Sequence, residues 1–224
     1  MTARVDTEVL AVDAQDPDLS VIRRAADVVC GGGLVVVPTD TVYGLVCDPH
    51  QTAAVDRLYE AKQRSKDLPL VLLLHDMAQV ESFIEEVPAE AVRAMQEFWP
   101  GALTVVLRDC SQVTEPLRAC KETIGLRLPA HMVPRALAER VGGGLASSSA
   151  NLSGQPSPVT AQQAVAQLDG LVELVLDAGP TKYAHESTVV DFTVRPPQVR
   201  RLGAISVARL REVLGPVQEN QIAA

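Results

Sequence analysis

The chain has 224 residues, with 20 lysines and arginines against 28 aspartates and glutamates, a formal net charge of −8. Hydrophobic residues make up 47% of the sequence and aromatic residues only 3%, which predicts a globular protein with an aliphatic core. The excess of acidic residues argues against binding of nucleic acid through phosphate contacts as the main activity. A local basic pocket is still compatible with this net charge.

Apolar runs typical of strands alternate along the chain with patterns of helical spacing. In chain order, we predict a helix over 19–30 that ends at Gly31, a strand over 34–37, a helix over 52–62, a strand over 70–74, a helix over 76–84 capped by Asp76, a helix over 88–99, strands over 103–107 and 124–128, a helix over 133–141, a strand over 145–148, a helix over 160–168, strands over 172–176, 188–192 and 198–202, and a helix over 206–214.

The alternation of strands and helices predicts an α/β layer fold with a covered sheet. The last two predicted strands are separated only by residues 193–197, which is too short for a parallel crossover and predicts a hairpin. We therefore expect one mixed sheet. The glycines at 31–33 precede a strand, so they indicate a helix stop and a turn rather than a phosphate-binding loop.

The N-terminal segment and the cysteines indicate where the protein works. Residues 1–15 are charged and contain no apolar core of a signal peptide, and the most apolar run, 68–74, is too short to cross a membrane, so we expect a cytoplasmic protein. The four cysteines, Cys30, Cys47, Cys110 and Cys120, form no CxxC or Cys/His cluster. Reduced thiols and no metal site made by the protein are the expectation.

Two segments in the first third of the chain could bind a ligand. The run PTDTVYGL at 38–45 places hydroxyls, a carboxylate and a phenol directly after a predicted strand, where α/β proteins commonly bind ligands. The alternative is a turn in which Asp40 and Thr41 bond to local backbone. Lys62 and Arg64 follow a helix and could hold phosphate oxygens, or could simply complement the helix C-terminus.

Three later segments carry further candidates. Arg127 lies inside an apolar strand, so it needs a ligand anion or an internal salt bridge as a partner. The run SSSANLSG at 147–154 offers hydroxyls and a glycine that could approach phosphate, or it is an unliganded serine-rich turn. The run ESTVVD at 186–191 and the tandem arginines Arg200 and Arg201 are either site residues or solvated surface.

Taken together, these segments resemble one family. The motifs are PTDTVYGL (38–45), KQR (62–64), FWPGALTVVL (98–107), RLPAH (127–131), SSANLSGQPSP (148–158) and ESTVVD (186–191) followed by RLG (201–203). In this wording and order they resemble the YrdC/YciO family over residues 15–215. The resemblance is strongest to its single-domain threonylcarbamoyl-AMP synthases of the TsaC type. It implies a YrdC-like twisted open mixed β-sheet flanked by helices in a single domain, with an N-terminal extension over 1–14 and a tail over 216–224.

The resemblance also implies an activity and its substrates. Family enzymes join L-threonine, bicarbonate or carbon dioxide, and ATP to form threonylcarbamoyl-AMP and pyrophosphate. That product serves the threonylcarbamoyladenosine modification of tRNA at position 37. A nucleotidyltransferase of this kind would use Mg²⁺ with its ATP and would hand the adenylate to a tRNA-modifying complex. Weak binding of tRNA itself is a further expectation.

The family motifs assign roles to eleven residues of this sequence. The L-threonine contacts implied are Thr41, Arg127, Ser147 and Ser187. The ATP contacts implied are Lys62, Arg64, Thr123, Ser149, Asn151, Ser157 and Arg201. No residue is singled out as a nucleophile or a general base, which fits a reaction that relies on positioning and charge stabilisation.

Two positions depart from the pattern of some relatives. Leu68 stands where those relatives carry an asparagine that contacts the nucleotide, and Leu73 stands where they carry a histidine that contacts threonine. The chain also ends before the second domain that covers the site in longer relatives, so a lid would have to come from its own loops or from a partner. The oligomeric state has no sequence signal.

Other functions remain open at this point. The chain could be a YciO-like paralogue that acts on another substrate, or a relative of the carbamoyl-adenylate-forming enzymes of hydrogenase maturation. It could also be an RNA-binding or assembly module that uses a concave basic surface. A non-catalytic ATP-binding regulator is the remaining alternative.

Overall fold

The computed structural model of the protein describes residues 4–108, 117 and 122–219. The described α-helices lie where the sequence predicts them, and their bounds are α1 (Leu19–Cys30), α2 (Thr52–Ala61), α3 (Ala89–Phe98), α4 (Met132–Val141), α5 (Ala161–Leu168) and α6 (Val207–Leu214). Local capping explains several of these starts. The side chains of Asp18, Thr160 and Ser206 each accept a backbone N–H from the first turn of α1, α5 and α6.

The helix predicted over 76–84 is wrong in type. The structure has a 3₁₀ helix there, Met77–Ser82, whose start Asp76 caps by accepting the N–H of Ala78. The tighter winding brings Val80, Phe83 and Ile84 into the same core cluster, which accounts for their apolar spacing without an α-helix.

One mixed sheet runs through the molecule. Its strands, in chain order, are β1 (Glu8–Ala11), β2 (Val35–Val37), β3 (Gly44–Cys47), β4 (Val71–Leu73), β5 (Leu103–Arg108), β6 (Thr123–Arg127), β7 (Leu145–Ser149), β8 (Leu174–Asp177), β9 (Thr188–Asp191), β10 (Gln198–Arg201) and β11 (Gln218–Glu219). Their spatial order is β1-β8-β2-β3-β7-β4-β6-β5-β9-β10-β11. The single-domain α/β fold with a mixed open sheet flanked by helices is thereby confirmed.

The pairing of the strands also confirms the predicted hairpin. Strands β9 and β10 are antiparallel, as are β2 and β3, whereas β4 and β6, β5 and β9, and β8 and β2 are parallel. Short links therefore form hairpins and longer segments return as parallel crossovers.

Three strands lie where the sequence analysis predicts none. Strand β3 follows the 38–43 turn and pairs with β2 and β7, because the alternation that marks a strand is hidden by its fully buried residues. Strands β1 and β11 occupy the two edges, pairing with β8 and β10. The sheet thus extends beyond the predicted domain bounds of 15 and 215, since backbone pairing needs no apolar pattern at an edge.

Buried side chains form a core on each face of the sheet. Helices α1 and α4 cover one face over residues such as Val35, Val37 and Val46, and the other face packs against α2, α3, α5 and α6. Helices α1 and α4 cover this first face only in part. Because side chains alternate along a strand, the uncovered part of the face carries Val71 and Ser147, which pair across β4 and β7. No helix among the described residues is long and apolar enough to cross a membrane.

Candidate active site

A cavity of about 680 Å³ opens on the partly covered face of the sheet. Its floor is built by β3, β4, β5, β6, β7 and β9, and its walls by the loops that follow them. All eleven residues that the sequence assigns to substrate binding line this one cavity: Thr41, Lys62, Arg64, Thr123, Arg127, Ser147, Ser149, Asn151, Ser157, Ser187 and Arg201. Residues spread over 160 positions of the chain therefore meet in a single hollow.

Arg127 and Lys62 are the two buried cations of the described cavity lining. Arg127 ends β6 with a relative exposure of 5%. Its guanidinium donates to Asp40 Oδ1 at 2.7 Å, to Thr41 Oγ1 at 2.7 Å and to the carbonyl of Gly101 at 3.0 Å. Asp40 Oδ1 also accepts the N–H of Ala130 at 3.0 Å. Of the two partners open at the sequence level, the structure thus supplies the internal salt bridge.

This ion pair leaves capacity for a ligand. A guanidinium has five N–H donors, and the three contacts above use three of them. Burial lowers the pKa of Arg127, and the attraction of Asp40 opposes that shift. The second carboxylate oxygen of Asp40, Oδ2, is buried and has no hydrogen-bond partner. Arg127 is therefore held in one orientation by an aspartate beneath it, while its other N–H groups remain unassigned.

Asp40 supports the site from beneath the cavity lining, in a role that differs from both sequence-level alternatives. The sequence leaves open a ligand-binding carboxylate or a turn that bonds to local backbone, whereas the side chain accepts from Arg127 and from Ala130, both far away in sequence. The local bonds of the turn come instead from Thr39, whose hydroxyl donates to the carbonyl of Val42. The signal that could have found this role is the presence of one lone arginine in a buried strand, which needs a counter-charge.

Buried hydroxyls share the cavity lining with Arg127. Thr41, Ser147 and Ser187 are buried, and Ser187 Oγ is 2.8 Å from Thr104 Oγ1 on β5. These groups can both donate and accept, so they can orient a small polar ligand without adding charge.

Lys62 and Asn151 are tied to one another in the cavity wall. Lys62 follows the last residue of α2, and Gln63 after it has a φ of 52°, which turns the chain so that Lys62 is buried. The ammonium donates to the carbonyls of Ser149 and Asn151 and to Asn151 Oδ1. The three donors of Lys62 thus fix the loop that carries Ser149, and its predicted contact with ATP stays a prediction.

Burial shifts the protonation of that lysine. Removal from water, reinforced by repulsion from Arg64, lowers the pKa of Lys62 to about 7, and Glu186 opposes the shift. Lys62 is therefore the described cavity residue whose charge is most open to change near neutral pH when an anion arrives.

Arg64 and Arg201 form a more open cationic group. Arg201 pairs with Glu186 at 2.6 Å, and its Nη2 donates to the carbonyl and hydroxyl of Ser187. Arg64 donates to the carbonyl of Pro69, and its buried Nε has no partner. Burial lowers the pKa of Arg64 and repulsion from Arg201 adds to that effect. Two like charges held this close favour the arrival of an anion.

The charge balance of the described lining is positive. Its cations are Lys62, Arg64, Arg127, Arg200 and Arg201, and its carboxylate is Glu186. Both oxygens of Glu186 are engaged, one by Ser157 and one by Arg201. A protein with a net charge of −8 thus concentrates cations in one hollow, which fits a small polyanion better than a nucleic-acid backbone.

The remaining sequence expectations fall outside this cation cluster. Leu68 and Leu73, the two expected departures from the family pattern, both line the cavity and add apolar wall to it. His131 caps α4 by accepting the N–H of Val133, and His185 is exposed.

Two of the four thiols lie within the described residues. Cys30 and Cys47 are free, and Cys110 and Cys120 lie outside the described residues. Within residues 4–108, 117 and 122–219, no three His, Cys, Asp or Glu side chains cluster as metal ligands would.

Comparison with known proteins shows what this chain is similar to. The sequence profile of the Sua5/YciO/YrdC family, described as "Telomere recombination", matches residues 27–203. A Pyrococcus abyssi protein named threonylcarbamoyl-AMP synthase is 37% identical over 197 residues, covering 88% of this chain and 58% of its own length. A Mycobacterium leprae protein with the same name under a provisional label is 41% identical over 213 residues, covering 94% of this chain and 96% of its own.

Solved structures repeat the fold. The P. abyssi Sua5 structure, complexed with L-threonine, superposes with a TM-score of 0.91 at 35% identity, covering 94% of this chain and 62% of that one. The Escherichia coli YciO structure gives a TM-score of 0.84 at 27% identity, covering 91% and 99%. This chain thus spans less than two thirds of the P. abyssi protein and nearly all of the M. leprae and E. coli proteins.

Proposed function

Because the chain belongs to the Sua5/YciO/YrdC family, we propose that it is an enzyme that makes threonylcarbamoyl-AMP from L-threonine, bicarbonate or carbon dioxide, and ATP. The observation that carries this proposal is the meeting of a buried, oriented arginine and an open pair of arginines in one cavity. The first suits the carboxylate of an amino acid and the second suits the phosphates of a nucleotide.

The amino-acid end is the surroundings of Arg127. A carboxylate would accept from the N–H groups of Arg127 that the protein leaves unassigned, and Thr41, Ser147 and Ser187 would contact the amine and the hydroxyl. The P. abyssi relative is known in complex with L-threonine, which supports L-threonine as a ligand of this protein. Leu73 would supply an apolar surface for the threonine methyl group.

The nucleotide end is the surroundings of Arg64 and Arg201. These arginines would hold phosphate oxygens, and Thr123, Ser149 and Ser157 would donate hydroxyl hydrogen bonds. Lys62 and Asn151 would act by holding the Ser149 loop in place. An ATP molecule would have to compete with Glu186 for Arg201, since that pair is already formed.

The proposed chemistry needs no covalent step on the protein. The threonine amine adds to carbon dioxide, or to bicarbonate with loss of water, and gives a carbamate. A carbamate oxygen then attacks the α-phosphorus of ATP, and the bond to the oxygen that bridges to the β-phosphorus breaks. Pyrophosphate leaves with that electron pair. Fixed cations that stabilise the charge on the phosphoryl oxygens and the leaving group are what this step requires.

Magnesium would enter with ATP. The one carboxylate of the described lining, Glu186, has both oxygens engaged by Ser157 and Arg201, so it is not a ready ligand. The phosphates themselves would hold the ion, which would neutralise part of their charge during transfer.

The product defines the partners. A nucleotidyltransferase of this kind would act in the cytoplasm and pass its adenylate to a complex that modifies tRNA at position 37. Weak direct binding of tRNA stays a proposal, and binding that falls steeply with rising salt would support it.

The test is pyrophosphate release from ATP in the presence of bicarbonate and L-threonine. Release should require threonine, and serine should be a poorer substrate because it lacks the methyl group that an apolar wall would contact. An Arg127→Ala variant that is shown to be folded should lose the threonine-dependent release, because the carboxylate of threonine would lose its guanidinium partner.

Other outcomes select the alternatives. Release that ignores threonine would contradict the proposal and favour a YciO-like activity on another substrate. ATP binding without any release would favour a regulator, and tight tRNA binding without release would favour an RNA-binding module.

A further inference from the structure

Three glycines line the cavity, and two of them have a structural reason to be glycine. Gly154 has a φ of 84°, a conformation that L side chains rarely adopt. A Cβ at Gly44 would lie 3.2 Å from Ser147 Oγ, which is tighter than an ordinary contact. Both positions would therefore resist a larger residue whatever the ligand.

Gly125 has neither reason. Its φ is outside the left-handed region, and a Cβ there would meet Thr104 Cγ2 at 3.5 Å and Val71 Cγ2 at 3.7 Å. Those are ordinary van der Waals distances, so the protein itself has room for a methyl group at this position. Glycine in a strand interior nevertheless costs conformational entropy on folding and forgoes side-chain packing. Something other than the fold must therefore benefit from the missing side chain.

The placement of Gly125 indicates that the cavity is what benefits from the missing side chain. It is the middle residue of β6, with Thr123 and Arg127 two positions away on either side. Side chains two apart on a strand face the same way, at a spacing of about 6.6 Å. Its direct neighbours on the adjoining strands are Val71 and Val106, which also line the cavity. Gly125 is thus a shallow depression in the floor between Arg127 and Thr123.

We propose that Gly125 is the point where the reacting junction of the two substrates rests against the sheet. This inference depends on the proposed function, which puts the amino-acid carboxylate at Arg127 and the nucleotide towards Thr123. The new bond between carbamate oxygen and α-phosphorus must then form between these residues, above Gly125. A side chain at this position would keep the two substrates apart without removing any group that binds either one.

The role is steric. Strand β6 is paired on both sides, with β4 and with β5, so its backbone groups serve the sheet ladders. Gly125 would contribute closeness of approach, which matters because small displacements of reacting atoms have large effects on rate.

The test is to add one methyl group and then a larger side chain. Gly125→Ala and Gly125→Val would be compared with wild type by thermal unfolding, by calorimetric titration with ATP alone and with L-threonine alone, and by pyrophosphate release. Val9→Ile adds one methyl group to an exposed residue of strand β1, outside the cavity lining, and serves as the control.

The expected result separates binding from turnover. Gly125→Ala should unfold at or above the wild-type temperature and should bind each substrate alone within about threefold of wild type. Its kcat for pyrophosphate release should fall by about 100-fold, and that of Gly125→Val further. Val9→Ile should behave as wild type.

Each contrary result has one meaning. A Gly125→Ala variant that turns over like an active wild type, that unfolds, or that loses turnover only through weaker binding of one substrate would overturn the inference. A wild type without threonine-dependent release would instead contradict the proposed function, whatever the variant does.

Discussion

The two cationic ends of the cavity are built differently. Arg127 is 5% exposed, and its charge is already matched by Asp40 at 2.7 Å. Arg201 has a side chain that is 45% exposed, and it shares its one carboxylate partner, Glu186, with the hydroxyl of Ser157. The end at Arg127 is a buried ion pair, and the end at Arg201 is a half-exposed cluster of positive charge.

This difference teaches how one hollow can serve two ligands. A buried guanidinium that is paired and oriented in advance costs little to reorganise, so it favours one geometry and suits selection of a small amino acid. Half-exposed arginines that repel one another attract a polyanion strongly but tolerate more than one geometry. The buried end should therefore control specificity, and the open end should control the affinity for nucleotide.

The largest expected effect comes from breaking the buried pair. Arg127→Ala leaves Asp40 buried without its counter-charge, which should lower the free energy of unfolding by about 3–5 kcal/mol. Threonine use should be lost almost completely, while any folded fraction still binds ATP. Chemical denaturation measures the loss of stability, and ATP titration of the same sample checks that the folded fraction still binds the nucleotide. An unchanged KM for threonine would contradict the account.

Asp40→Asn sharpens the same end with less damage. The amide keeps the shape but removes the charge that orients Arg127, so the KM for threonine should rise by about tenfold and the affinity for ATP should change little. An equal loss for both substrates would show that Asp40 supports the fold rather than the amino-acid end.

An effect of similar size is expected at the open end. Arg64→Ala removes one charge-assisted contact to phosphate and should weaken ATP binding by about tenfold, leaving threonine binding within about twofold. Calorimetric titration with each ligand measures the two affinities. Arg23→Ala, which removes an exposed arginine from α1, is the matched control and should change neither.

Salt should separate the two ends without any substitution. Raising sodium chloride from about 50 mM to about 500 mM screens exposed charges far more than buried pairs, so ATP affinity should fall several-fold and threonine affinity should stay nearly constant. Parallel titrations at several salt concentrations provide the measurement. Equal salt dependence for both ligands would remove the contrast on which the division of roles depends.

The smallest expected effect is the uptake of a fraction of a proton when ATP binds. Burial lowers the pKa of Lys62 from 10.5 to about 7, so near neutral pH the free protein holds a mixture of its charged and neutral forms. Phosphates that arrive nearby favour the charged form, so ATP binding should take up a fraction of a proton. The same shift means that the unfolded chain binds the extra proton between about pH 7 and 10.5, and this contribution to stability rises with pH across that window.

Titration of ATP in buffers of different ionisation enthalpy would detect that uptake. Lys62→Met should abolish it, while Lys66→Met, which removes an exposed lysine paired with Asp56, should not. Binding enthalpies that do not depend on the buffer would show that Lys62 keeps one protonation state throughout.

The sequence predicted the site better than it predicted the interactions within it. Arg127 could be selected because it is a charged residue in an apolar strand, and Thr41 because its motif directly follows a strand. Local sequence pattern was therefore enough to select residues that line one cavity. The partner of Arg127 could not be deduced, because a side chain in a turn bonds to whatever the fold brings near. Asp40 and Arg127 are 87 positions apart in the chain.

The same limit explains the errors in the fold. Strand β3 has four buried residues and so lacks the alternation that identifies a half-exposed strand. Strands β1 and β11 are specified by backbone pairing with β8 and β10, which leaves little trace in composition. The α-helix predicted after Asp76 is a 3₁₀ helix. The prediction was wrong because the two kinds of helix place apolar residues at similar spacings over so short a segment.

The most direct test is a crystal structure with L-threonine and a non-hydrolysable ATP analogue bound together. The account predicts a threonine carboxylate oxygen about 2.8 Å from the Arg127 guanidinium, phosphate oxygens at a similar distance from Arg64 and Arg201, and the amine and α-phosphorus facing each other above Gly125. A structure with both ligands bound, in which Arg127 contacts only Asp40 and the amino acid lies elsewhere, would contradict it.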